Sequence, residues 1–207
     1  MLATNPTSAP KTSFRGLALI GGHPMLDLTN TVKYRGADDP QDKLCSYADL
    51  MEWASLAGLI TKAESKTISR AQNADDLLLE ALNIREYLWV ILNQALVENS
   101  KYITAISELE KAISALRPKI SIDPETGILS RRVVIATPQD LISRIIEAAA
   151  DLLADRDALR IKICDGCDCD WLFIDKTKAG RRRWCDTKTC GNLARVREFR
   201  KKHELPN

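Results

Sequence analysis

The sequence predicts a mainly α fold with one small β-hairpin, an α+β chain in which a helical N-terminal domain leads into a cysteine-rich segment and a basic helix. Three observations carry this. Leu77, Leu78, Leu82, Ile84, Leu88, Ile91, Leu92 and Leu96 recur at threes and fours, the spacing of one apolar helical face. Residues 120–135 change character, with turn formers in Ser121-Ile-Asp-Pro-Glu-Thr-Gly127 followed by β-branched Val133, Val134 and Ile135, a hairpin pattern. Five of the six cysteines, Cys164, Cys167, Cys169, Cys185 and Cys190, fall within 27 residues.

Taken in order, Met1–Phe14 is polar and lacks the apolar centre of an export signal, so residues 1–14 read as a flexible tail. Leu17–Ile20 is a short extended segment ended by the turn Gly21-Gly22-His23-Pro24. Met25–Val32 fits a helix or mixed segment, and Tyr34–Lys43 a polar loop. Ser46 is placed to cap a helix through Leu56, with Leu50, Trp53 and Leu56 on one side and Gly58 beyond its end. A short helix covers Lys62–Arg70, the long one starts at Ala74, and another spans Tyr102–Leu116 until Pro118 stops it. Thr137-Pro138-Gln-Asp140 combines a cap, a first-turn proline and a first-turn acid, so a helix starts there and runs to about Leu159. The body therefore spans 15–159 and a second module 160–207.

Apolar residues make up 45% of the 207, enough for a globular core and against wholesale disorder. The net charge of +2 conceals an asymmetry: residues 160–207 hold 13 Lys and Arg against 7 Asp and Glu, leaving the first 159 with 17 against 21. A basic end joined to an acidic body points to an anionic partner. No apolar run approaches the roughly 18–20 residues of a membrane span, so a cytoplasmic protein with no membrane partner is expected. In that compartment clustered cysteines bind metal rather than form disulfides.

Four thiols in a small polar segment suit one structural Zn²⁺, which replaces a core the segment lacks. Five are available. Spacing favours Cys164-x2-Cys167 over Cys164-x4-Cys169 for the first pair, while the second half offers only Cys185-x4-Cys190. Trp171-Leu-Phe-Ile-Asp175, Arg182-Arg-Trp-Cys185 and Cys190-Gly-Asn192 closely resemble the C-terminal ribbon of the CGNR zinc-finger family. That resemblance implies Cys164, Cys169, Cys185 and Cys190 as the ligands, with Cys167 free. Where the family has its final Arg, this chain has Leu193, with Arg195 two residues on. Leu26-Asp27-x-x-Asn30-Thr31, and Asp49-Leu-x-x-Trp53 with Ala57-Gly58-Leu59, resemble the ABATE domain that precedes this module in proteins described as stress-induced transcription regulators.

The expected function is therefore DNA binding through the zinc module, by Arg181, Arg182, Arg183, Arg195, Arg197, Arg200 and Lys201. On the helix after Cys190, Leu193, Val196 and Phe199 would face inward and Arg197, Arg200 and Lys201 outward. Trp171, Phe173 and Trp184 would form the module's small core. His23, Asp27 and Asn30 are candidates for a small-molecule effector site, with Arg85 and Trp89 as further lining, and homodimerisation is a second role for the body. A purely architectural zinc in a protein-interaction module is the alternative. Catalysis is not expected: there is no Gly-rich phosphate loop and no nucleophile elbow, and four sulfur ligands leave no open position on the metal.

Overall fold

Arg15 and Gly16 both adopt positive φ, 45° and 77°, closing the two-residue turn that matches hairpin twist. The turn joins β1 (Ser13–Phe14) to β2 (Leu17–Ala18) with Phe14 opposite Leu17. The computed structural model describes residues 13–35, 38–93, 98–122, 124–166 and 169–203. Residues 1–12 of the expected tail lie outside these, but Phe14 is fully buried in the main core, so the fold begins before residue 15.

Helix α1 (Pro24–Thr29) follows, with His23 as its cap: Nδ1 accepts the Met25 N–H at 3.2 Å. Strand β3 (Val32–Lys33) pairs antiparallel with β4 (Gln41–Asp42), so the polar loop expected over Tyr34–Lys43 contains a strand. The reason is tertiary. Arg85, buried on α4 (Ala74–Leu92), donates to both Asp42 carboxylate oxygens at 2.9 and 2.7 Å and to the Thr31 hydroxyl at 3.0 Å, fixing β4 beside β3.

Helix α2 (Tyr47–Leu56) starts at Ser46, whose hydroxyl accepts the Asp49 N–H at 3.2 Å, and ends before Gly58 at φ +74°. Leu50 and Trp53 are fully buried while Leu56 is exposed. Helix α3 (Lys62–Thr67) is started by a Thr61–Glu64 capping box and ends three residues before the expected Arg70. The long helix α4 buries Leu77, Ala81, Ile84 and Leu88 on one side, and Leu96 lies outside the described residues. It packs against α5 (Asn99–Ala115).

The hairpin is present, but three residues earlier on its second side: β5 (Lys119–Ile122) pairs with β6 (Leu129–Arg132). Val133 leaves the sheet because α6 (Pro138–Ala154) claims its backbone. Its N–H donates to both Glu147 oxygens at 3.0 Å, and its carbonyl accepts from the Arg144 guanidinium, which also donates to the Leu59 carbonyl at 2.8 Å. A Thr137–Asp140 capping box starts α6 as the sequence indicates. The helix stops at Ala154, and the turn Arg156–Arg160 is 3-10.

The C-terminal module is a ribbon of β7 (Ile161–Ile163) against β8 (Leu172–Ile174), then α7 (Cys190–His203). The two modules share one core: Leu172 and Ile174 bury in the same cluster as Phe14, Leu26, Trp53, Leu88, Leu141 and Ile145. Each such side chain contributes about 2 kcal/mol by leaving water. Among the described residues no helix is long and apolar enough to cross a membrane.

Candidate metal centre and cationic surface

Strand β7 delivers Cys164 and the turn before β8 returns Cys169; Cys185 ends the Arg-rich loop, and Cys190 opens α7. Their four sulfurs lie within 4.8 Å of one another. The Cys169–Cys185 and Cys185–Cys190 separations are 3.7 and 3.6 Å, far longer than a disulfide. Tetrahedral sulfurs about 2.3 Å from one Zn²⁺ would be ~3.8 Å apart, so these side chains fit that ion. Four thiolates close the coordination, which makes the zinc structural. Cys167 falls outside the described residues; among those described, Cys164 and Cys169 form the cluster with Cys185 and Cys190, the set that the resemblance implies.

Backbone N–H groups surround the sulfurs. Gly166 and Cys185 donate to the Cys164 sulfur at 3.3 and 3.2 Å, and Trp171 donates to Cys169. Hydrogen bonding with Cys169 lowers the Cys164 thiol and raises Cys169 in turn. Zn²⁺ would take all four as thiolates and release their protons. Two glycines sit in tight contact here. A Cβ at Gly166 would stand 3.1 Å from the Cys190 sulfur and 3.2 Å from that of Cys164; at Gly191 it would stand 3.2 Å from the Trp184 ring.

Around the metal, Phe173 is fully buried with Cys164 and Cys185, and Trp171, Trp184 and Ile20 pack on them, the small core expected from sequence plus one residue of the body. Sequence reasoning missed the residue that folds the arginine loop, Asp175. Its carboxylate accepts from Lys162 Nζ at 2.8 Å, the Thr177 hydroxyl at 2.6 Å and the N–H groups of Thr177 and Arg182 at 3.0 and 2.9 Å. The ammonium and hydroxyl hold that carboxyl well below its ordinary range. Asp-x-Thr was the available signal, since Asp commonly binds the backbone two residues on.

The arginines divide. Arg181 is exposed. Arg182 turns inward: it donates to the carbonyls of Trp184, at 2.9 Å, and Cys185, and its guanidinium lies 4.4 Å from the Phe173 ring centroid. Arg183 pairs with Asp165 at 2.7 Å and lies over Trp184. On α7, Arg195, Arg197, Arg200 and Lys201 are exposed. So are Leu193, Val196 and Phe199, at 58%, 39% and 61%, which corrects the inward face expected for them. The helix projects beyond the ribbon, and Gly191 is its one buried residue.

His23, Asp27 and Asn30 are brought together by α1, but each is engaged within the fold. His23 caps the helix, and Asp27 accepts the Gly21 N–H at 2.8 Å. Burial pushes the Asp27 carboxyl up to about 6, against the pull of the Gly21 and Ile20 N–H groups. Asn30 holds Leu172 of β8 by two hydrogen bonds. Arg85 meets Asp42 and Thr31 instead of this trio, and Trp89 lies under the Arg35 guanidinium.

The model of the ABATE family, described as "Putative stress-induced transcription regulator", matches residues 22–156, more than half of the chain. The CGNR zinc finger model matches residues 160–203, which include all four clustered cysteines. No curated protein matches the sequence. The two descriptions are of a regulator and a zinc finger, not of an enzyme. The chain belongs to the ABATE family and carries a CGNR zinc finger after its ABATE domain.

Proposed function

We propose that this protein is a DNA-binding transcription regulator whose zinc module meets phosphates through Arg181 and the basic residues of α7. The observation that carries the reading is the mounting of α7. Its first residue, Cys190, is a clustered cysteine, and Arg195, Arg197, Arg200 and Lys201 project into solvent from the helix that follows. A metal so placed fixes the direction of a cationic helix, and phosphate contacts of this kind position a protein on a duplex without reading sequence. Arg183 joins the surface with its charge partly met by Asp165. Arg182 serves the loop rather than the ligand.

The ABATE domain would sense a small ligand or mediate association into a homodimer. The α1 segment with His23, Asp27 and Asn30 would transmit either event; the hydrogen bonds from Asn30 to Leu172 of β8 support this.

Fluorescence polarisation with duplex DNA between about 50 and 200 mM salt tests the reading: affinity should fall steeply, by roughly 10²–10³ for about five phosphate contacts, and chelator should abolish binding. Affinity absent at low salt would refute it. The second reading, a protein-interaction module with architectural zinc, is favoured by the exposed Leu193, Val196 and Phe199 and by Ile120, Ile122, Ile128 and Leu129 on the hairpin, each at least 60% exposed among the latter four. Size-exclusion chromatography with light scattering, run without DNA, would reveal self-association through them.

A further inference from the structure

Beside the metal centre a cavity of about 300 Å³ opens between the two modules, walled by Ile20, Tyr34, Trp171 and Leu193, with Lys33 and Thr189 as polar points. Ligand pockets favour such inter-domain positions, and the volume sits at the small end of their usual range of about 300–1,000 Å³. The walls come from four places that the fold alone unites: the segment after β2, the end of β3, the turn before β8 and the start of α7. Tyr34 is turned out of the strand by its positive φ of 56°.

The chemistry of the lining selects an occupant. Trp171, Ile20 and Leu193 offer an aromatic face and two aliphatic ones. Among the described residues no acid pairs with Lys33. Asp186, which also lines the cavity, already accepts the Lys188 N–H at 2.9 Å and has a further partner. Cys169, Cys185 and Cys190 border the opposite part. Four thiolates around one Zn²⁺ carry a net charge of about −2 and the Asp186 carboxylate adds to it, so an anionic group has Lys33 as its one cationic partner among the lining residues.

We propose that this cavity binds a small aromatic carboxylate, with its ring between Trp171 and Leu193 and its acid group on Lys33. The site deepens the ligand-sensing part of the proposed function, moves it from the His23 segment, and does not depend on DNA binding. Because Leu193 belongs to α7 and Lys33 to the ABATE domain, an occupant would tie the basic helix to the body.

Isothermal titration of the zinc-loaded full chain with 2-naphthoate, and with its uncharged counterpart 2-naphthylmethanol, tests this in the absence of DNA. Saturable 2-naphthoate binding with a Kd of roughly 1 mM or tighter is expected, and the alcohol should bind at least ~10-fold more weakly. Lys33→Gln should weaken naphthoate to the level of the alcohol, and Leu193→Glu should weaken both probes. Neither residue lies in a core cluster, and zinc content and melting temperature check that each variant is folded. No saturable binding, equal affinity for acid and alcohol, or naphthoate affinity unchanged in either folded variant would overturn the proposal, and none of these results bears on the salt-dependent DNA assay.

Discussion

The side-chain amide of Asn30 pairs with both backbone groups of Leu172, donating to its carbonyl at 2.9 Å and accepting its N–H at 2.8 Å. One residue of the ABATE domain thereby acts as an extra strand residue beside β8 of the zinc ribbon. The Ile174 N–H donates to the Gly21 carbonyl at 2.8 Å, so the second contact point lies two residues along β8.

Asn30→Ala leaves a buried N–H and a buried carbonyl of Leu172 unpaired, which should lower stability by about 3 kcal/mol. Asn30→Asp keeps the acceptor but loses the donor, and should recover only part of this. Urea unfolding measures both, and a loss under about 0.5 kcal/mol for the alanine variant would show that the pairing is not structural.

Asp27 gives a pH signature. Its folded carboxyl is raised to about 6 from an ordinary value of 3.8, so between those values the folded state holds a proton that the unfolded chain has released. The group's contribution to stability is therefore greatest below about pH 4, declines as pH rises to about 6, and is flat above. Asp27→Asn should remove that slope and raise stability at pH 7 by about 1–3 kcal/mol. Comparing the two proteins at each pH cancels effects of acid on the metal centre.

Arg182 and the α7 cations should separate stability from binding. Arg182→Ala removes hydrogen bonds to three carbonyls, those of Ile174, Trp184 and Cys185, and the contact with Phe173, so melting temperature should fall, by the equivalent of about 2 kcal/mol. Arg200→Ala with Lys201→Ala should leave the melting temperature nearly unchanged, weaken DNA binding and flatten its salt dependence by about two phosphates' worth. A melting temperature unaffected by Arg182→Ala would contradict its internal role.

Gly166→Ala should loosen the metal. The added methyl would press against the sulfurs of Cys164 and Cys190, and a disturbed outer shell typically lowers metal affinity by about 10–100-fold. Competition with a chromophoric chelator reads this directly. Cys164→Ser should go further and yield protein with less than stoichiometric zinc.

Features set by local chemistry are legible along the chain. Ser46, Thr137-Pro138 and the leucine spacing of α4 set their helices because caps and 3.6-residue periodicity act within a few residues, and two C-x4-C pairs specified the ligand set once the motifs around them were recognised. Strand β4, the position of β6 and the exposure of Leu193, Val196 and Phe199 were decided by tertiary structure. Arg85 reaches Asp42 across 43 residues, Glu147 draws Val133 out of the sheet, and α7 runs past the ribbon. Arg182 reads in sequence like its neighbours Arg181 and Arg183. Only the folded loop, closed by Asp175, turns it inward, because which way a cation faces depends on carbonyls and carboxylates that chain folding brings beside it.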